Sequence, residues 1–352
     1  MNSKRFTLIL STLLLLISCV NKESKVKIAK TPKPIKGMVW IPGGIFKQGA
    51  VTGDEMALAH EKPQHFVEIS GFYMDISEVT NQQFAEFINE TSYVTTAERP
   101  VDWEELKKQL PDGVTKPHDS VLQPGSLLFK KTQSSVPNFY DFSQWWRWTN
   151  GVNWKHPYGP ESSIEGKEKY PVIHVSYEDV LAYCKWRGHR LPTEAEWEFA
   201  ARASNADAIH FWGNDTESLS KYVNSWDGEF PVQNTLQDGF ERIAPVKSFP
   251  PNDFGLFDMS GNVWEWTSDW YNINYYSELA SKKDIVKDPT GAKSPFNPNN
   301  SKLKERVIKG GSFLCSAAYC ASYRISARMA SDPESSHEHL GFRTVVTPEM
   351  IN

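Results

Sequence analysis

The 21 glycines and 22 prolines of this 352-residue chain do most to limit its fold. Glycine tolerates left-handed backbone, and proline fixes φ and removes an amide donor, so both end helices and strands. A chain broken this often reads as a loop-rich compact body rather than a helical bundle. Its interior must come from scattered large side chains, and 13 Trp, 13 Tyr and 19 Phe run along its whole length. With 39% hydrophobic and 23% charged residues, disorder, collagen, coiled coil and a polytopic membrane protein are excluded. The 38 Lys and Arg against 43 Asp and Glu leave a net charge of −5, so no basic surface offers itself to nucleic acid.

Residues 1–18 read as an address. Lys4 and Arg5 precede an apolar run from Phe6 to Ile17, too short to span a bilayer comfortably and proportioned like a secretory signal. The run ends in Leu16-Ile17-Ser18-Cys19, which resembles a bacterial lipobox. Cys19 would then carry the lipid, residues 19–37 would be a tether, and the body would span 38–348. The expected location is outside the cytoplasmic membrane, in a bacterial periplasm or cell envelope, on a membrane lipid anchor.

Within the body the regular elements are short. Met38–Phe46 reads as a strand broken by Pro42-Gly43-Gly44, and Phe66–Ile69 and Phe72–Met74 read as further strands. Glu78–Ile88 has helical apolar spacing, with Thr80 or Asn81 as its cap. Ser176 with Asp179 opens a second helix, and Thr193 after Pro192 opens a third. Residues 91–170 show little periodicity, and short strands are expected after Asp207. No repeat and no shift in composition marks an interior boundary, so one domain is expected.

Gly188-His189-Arg190-Leu191-Pro192-Thr193-Glu194-Ala195-Glu196-Trp197-Glu198, Gly261-Asn262-Val263-Trp264-Glu265-Trp266 and Gly341-Phe342-Arg343 resemble signatures of the formylglycine-generating enzyme (sulfatase-modifying factor) family. The aromatic stretch from Trp145 to Pro160 and the segment Arg306–Cys320 resemble the true enzymes of that family. The resemblance implies an α+β, C-type-lectin-like single domain with little regular structure. It also implies an oxidase that uses Cu(I) and O2 to convert a sulfatase cysteine, in a Cys-x-Pro-x-Arg motif, to formylglycine. Cys315 and Cys320 would be the active pair, with Ser312, Tyr319 and Trp264 lining the centre. Ser316 departs from the family, many of whose members have histidine there.

Chemistry and spacing bear on that pair. Five positions apart, two side chains differ by roughly 140° around a helix and lie on opposite faces of a strand. They converge only if Ser316–Tyr319 turns the chain. Two convergent thiolates are a soft donor set that selects Cu(I) over hard cations. A disulfide stapling the loop is the alternative in an oxidising compartment. Cys184 reads as a buried apolar thiol.

The resemblance further implies two structural calcium sites. One would use the Asn224 and Asp238 side chains with the Ser225 and Phe240 carbonyls. The other would use the Asp258 and Glu265 side chains with the Gly261 and Val263 carbonyls. Oxygen-only ligation with carbonyls between carboxylates suits Ca2+, although Asp, Asn and Gly also simply populate turns. The nine histidines show no metal spacing, and His337 and His339 read as part of a polar loop. A groove for an unfolded sulfatase segment is expected along Trp145, Trp146, Trp148, Trp154 and His156, on a monomer. The competing reading is a non-catalytic surface lipoprotein that uses the same fold for binding or assembly. A sulfoxide synthase of this superfamily would need a histidine cluster that the sequence lacks.

Overall fold

Three helices begin at the caps the sequence marks. In the computed structural model, which describes residues 33–351 apart from Pro111, Thr80 caps α1 (Asn81–Thr91), Ser176 caps α3 (Tyr177–Arg187) and Thr193 caps α4 (Glu194–Arg202). In each, the side chain three residues on returns to the cap amide: Gln83 at 2.9 Å, Asp179 at 2.8 Å and Glu196 at 2.8 Å. These reciprocal bonds satisfy amide groups that a helix start leaves open. Residues 1–32, with the signal segment, Cys19 and most of the tether, lie outside the described residues.

Among the described residues, twelve short strands form four small sheets. β1 (Met38–Ile41) pairs antiparallel with β4 (Phe72–Asp75), which also carries β12 (Val345–Val346). β2 (Gly44–Gln48) pairs with β3 (His65–Ile69), and β8 (Val286–Lys287) adds to it in parallel. β5 (Gly125–Phe129) and β6 (Trp146–Asn150) form a separate antiparallel pair. The fourth sheet has the order β10 (Arg328–Ser331), β9 (Arg306–Lys309), β7 (Trp264–Trp270), β11 (Leu340–Gly341). The result is α+β from Pro34 onward, one compact unit with short elements.

Four elements differ from the sequence reading. Residues 91–170 hold β5, β6 and α2 (Trp103–Gln109), whose capping residue Asp102 accepts the Glu104 and Glu105 amides. No residue of α2 is buried, so it has no apolar stripe to show a period. Among the short strands after Asp207 lies α5 (Tyr275–Ala280), which has no side-chain cap.

Buried aromatic and aliphatic side chains gather in three clusters. The first places Cys315 and Trp264 among Val172, Val223 and Ile308. The second surrounds Trp197 of α4. The third joins Trp145, Trp226, Phe230 and Phe313. The 18-residue connection from Gly310 to Ala327, between β9 and β10, runs where the first and third clusters meet.

Candidate active site

β9 ends at Lys309, whose ammonium is fully buried 3.2 Å from Glu198 and above the Trp197 ring. Burial raises the Glu198 carboxyl, but Lys309 and Arg202 more than offset it and hold the group at about 2. This ion cluster fixes the start of the connection. Gly311 follows in left-handed backbone at φ +73°, where a Cβ would lie 2.7 Å from Ser322 main-chain atoms. The far end is fixed by Arg324, whose guanidinium donates to Asp54 at 2.7 Å and to both oxygens of Glu61.

Between these anchors the chain turns as the cysteine spacing requires. The Tyr319, Cys320 and Ala321 amides all donate to the Ser316 carbonyl, at 3.2, 3.1 and 2.8 Å. Cys315 and Cys320 are thereby brought into hydrogen-bonding contact, and neither forms a disulfide. The Ser312 amide donates to the Cys315 sulfur at 3.4 Å. Burial, together with the neighbouring Cys320, pushes the Cys315 thiol well up. Burial raises Cys320 too, but hydrogen bonds from Cys315 and Ser322 outweigh it and lower that thiol. The pair therefore ionises first at Cys320, with Cys315 donating to it.

Tyr319 lies flat on Phe230, ring centroids 4.6 Å apart, with Trp145 edge-on at 5.7 Å. Burial and then the two cysteines raise its hydroxyl, which stays protonated. Trp264 is buried at the start of β7 in the cluster that holds Cys315. Ser312, also buried, lies 3.2 Å from His339 Nδ1. The structure thus brings all five proposed catalytic residues to the same connection or its packing. It adds His339, which the sequence reading left in a polar loop: the residue is buried, 8% exposed, and meets Ser312.

The five groove residues do not share one surface. Trp145 is buried against Tyr319, and Trp146 meets His339 at 4.8 Å. Trp148, 40% exposed, lines a separate cavity of about 600 Å³ with Val101, Leu122 and Leu127. Trp154 packs on Phe84 of α1 in the interior rather than along a groove. His156 Nδ1 lies 2.6 Å from the Ser162 carbonyl oxygen, in a turn. Cys184 is a free buried thiol, raised by burial to about 12.

Among the described residues no three His, Cys, Asp or Glu side chains are placed to hold a metal together. Two thiols alone remain a donor set for a soft, low-coordinate ion, and the Cys315–Cys320 contact fits Cu(I) on that ground. The proposed calcium residues are also neighbours. Asp238 accepts the Ser225 and Phe240 amides at 2.9 Å each, and the Asn224 carbonyl accepts the Asn262 amide beside Gly261.

At the second set, Arg343 donates to both Glu265 oxygens at 2.7 Å and the Trp197 indole donates at 2.8 Å. The sequence reading missed Glu78, which is buried beside Asp258 with its Oε2 unpartnered. Burial, then Asp258, pushes the Glu78 carboxyl well up. Beside the Glu265–Arg343 ion pair, burial raises both the Glu78 and the Asp258 carboxyl. The orphaned Glu78 oxygen is the observation that fits calcium here.

Residues 24–348 match the family model described as the sulfatase-modifying factor enzyme 1-like domain. The chain is 40% identical over 315 residues to formylglycine-generating enzyme of Mus musculus, spanning 89% of this chain and 75% of that protein. It is 36% identical over 309 residues to a Bos taurus protein named inactive C-alpha-formylglycine-generating enzyme 2, spanning 87% and 86%. PvdO from Pseudomonas aeruginosa has a similar fold, with a TM-score of 0.59 at 21% identity over 91% of this chain and 100% of that one. A thiol pair, its aromatic frame and a family match over nearly the whole body place the chain in the formylglycine-generating enzyme (sulfatase-modifying factor) family.

Proposed function

We propose that this chain converts a cysteine in a Cys-x-Pro-x-Arg motif of a sulfatase to formylglycine. The contact between two free thiols, Cys315 and Cys320, carries this reading. Relatives in the family bear both active and inactive names, so membership alone does not decide it. Cu(I) held by the two sulfurs would supply the redox chemistry that lets O2 oxidise the substrate thiol. Cys320 is the more acidic of the pair, while burial and its neighbour hold the Cys315 thiol up. Tyr319 contributes a protonated hydroxyl at the edge of the aromatic frame. Trp145 and Phe230 shield the turn from water on that side.

Calcium at the two oxygen sets is a structural part of the same proposal. Export and lipid anchoring through Cys19 rest on the Leu16–Cys19 sequence, and release of Cys19→Ala from washed membranes would test them. The test of the activity is mass spectrometry of a Cys-x-Pro-x-Arg peptide incubated with the purified protein, Cu(I) and O2. An aldehyde product is expected. Binding of the peptide with no conversion would favour the non-catalytic reading.

A further inference from the structure

One imidazole reaches the turn that carries both thiols. His339 Nδ1 lies 3.2 Å from the Ser312 hydroxyl oxygen. Among the described residues no other histidine side chain is hydrogen-bonded to residues 312–320. Ser316, next to the first thiol, offers only a hydroxyl, and its oxygen accepts the Tyr319 amide.

His339 is held from several sides. Its ring packs edge-on against Trp146 at 4.8 Å and against His337 at 5.7 Å. Its carbonyl accepts the Trp264 amide at 2.8 Å, so the residue is tied to two members of the site at once. Burial, then the neighbouring His337 and His174, keeps the ring well below the ordinary imidazole value, hence neutral. A neutral imidazole has one nitrogen that accepts and one that donates. Ser312 Oγ already accepts the Leu314 amide at 3.3 Å. If the serine proton points to Nδ1, one lone pair and no proton remain for a reacting group.

We propose that His339 is a positioning residue for the thiol chemistry, accepting the Ser312 O–H at Nδ1 and so fixing the serine oxygen as an acceptor toward the substrate sulfur. The inference rests on the function proposed above. It predicts the Nε2–H tautomer, because Nδ1 must be free of hydrogen to accept. The Ser312 main chain, whose amide holds the Cys315 sulfur, is not part of this effect and should be unmoved by changes at 339.

The test compares His339→Ala, His339→Asn, Ser312→Ala and the double variant His339→Ala/Ser312→Ala with the wild type. Asparagine keeps an acceptor oxygen near the place of Nδ1. His339→Ala is expected to lower kcat on the order of 10- to 100-fold with KM little changed, as for a misplaced reacting group. His339→Asn should recover most of the rate. His339→Ala should add little to Ser312→Ala, since the histidine acts only through the serine oxygen.

Nitrogen NMR of the metal-free protein gives a readout independent of turnover. The ring should be the Nε2–H tautomer in the wild type, and its Nδ1 resonance should shift in Ser312→Ala. A Nδ1–H tautomer, losses that multiply in the double variant, or an asparagine variant as slow as alanine would overturn the inference. A wild type that makes no aldehyde overturns the proposed function. An active wild type matched in rate by His339→Ala overturns only the role of His339.

Discussion

Cys315 and Cys320 are the same residue type in one turn, yet their surroundings separate them. Cys315 is buried and shares a proton with its neighbour, which raises it, while Cys320 gains hydrogen bonds from Cys315 and Ser322 that lower it. A coupled pair of this kind loses its protons in two macroscopic steps. In the metal-free protein, alkylation followed across pH and mapped by mass spectrometry should label Cys320 at lower pH than Cys315. Labelling of Cys315 first would contradict the arrangement. At this scale the cysteine spacing was informative, because only a turn across Ser316–Tyr319 could bring the two sulfurs together. His339 and Glu78 gave no such signal. One lies in a polar stretch of sequence and the other beside a helix start, and both meet their partners only through contacts distant in the chain, 27 residues for Ser312 and His339. The pairing of Glu265 with Arg343 likewise joins residues 78 positions apart.

Among the elements, α1, α3 and α4 were legible because each carries a cap and its reciprocal partner three residues on. α2 and α5 were not, since one buries nothing and the other lacks a side-chain cap. The strands are short, and which ones pair is decided by long-range packing. An exception to local logic is the start of α4, where the Glu194 amide donates to Asp269 of β7 at 2.8 Å. Burial, then the charge of Glu194, raises the Asp269 carboxyl to about 7. A folded value above the unfolded one means that the folded state holds the proton more tightly. That contribution is complete below about pH 4 and is lost as pH rises towards 7. Urea unfolding of the wild type should include this loss between pH 5 and pH 8. Asp269→Asn should flatten the slope by on the order of 1–3 kcal/mol over the range. An unchanged slope would show that Asp269 is ionised throughout.

Among the described residues, the body from Pro34 onward is held by three aromatic clusters and by buried ion groups, with long irregular connections between short elements. The oxygen set around Asp238 lies in one such connection, and the set of Asp258, Glu78 and Glu265 joins two connections to β7. If calcium occupies these sets, excess chelator should lower Tm by several degrees, and added Ca2+ should restore it. Unchanged melting in chelator, with no calcium by elemental analysis, would remove both sites from the account. The α+β class followed from the family signatures, the loop-rich body from glycine, proline and aromatic content, and the single domain from the lack of any repeat or shift in composition. The groove did not follow, because Trp145, Trp146, Trp148 and Trp154 are close in sequence but face different surroundings: the active turn, His339, a separate cavity and the interior. The central claim is that the two thiols act together, and it is tested most directly by Cys315→Ser and Cys320→Ser. Hydroxyl is a hard, weakly acidic replacement for a thiolate donor, so both variants should fold, lose stoichiometric Cu(I) binding and form no aldehyde on the Cys-x-Pro-x-Arg peptide. A Cys315→Ser protein that makes formylglycine at the wild-type rate would contradict the account.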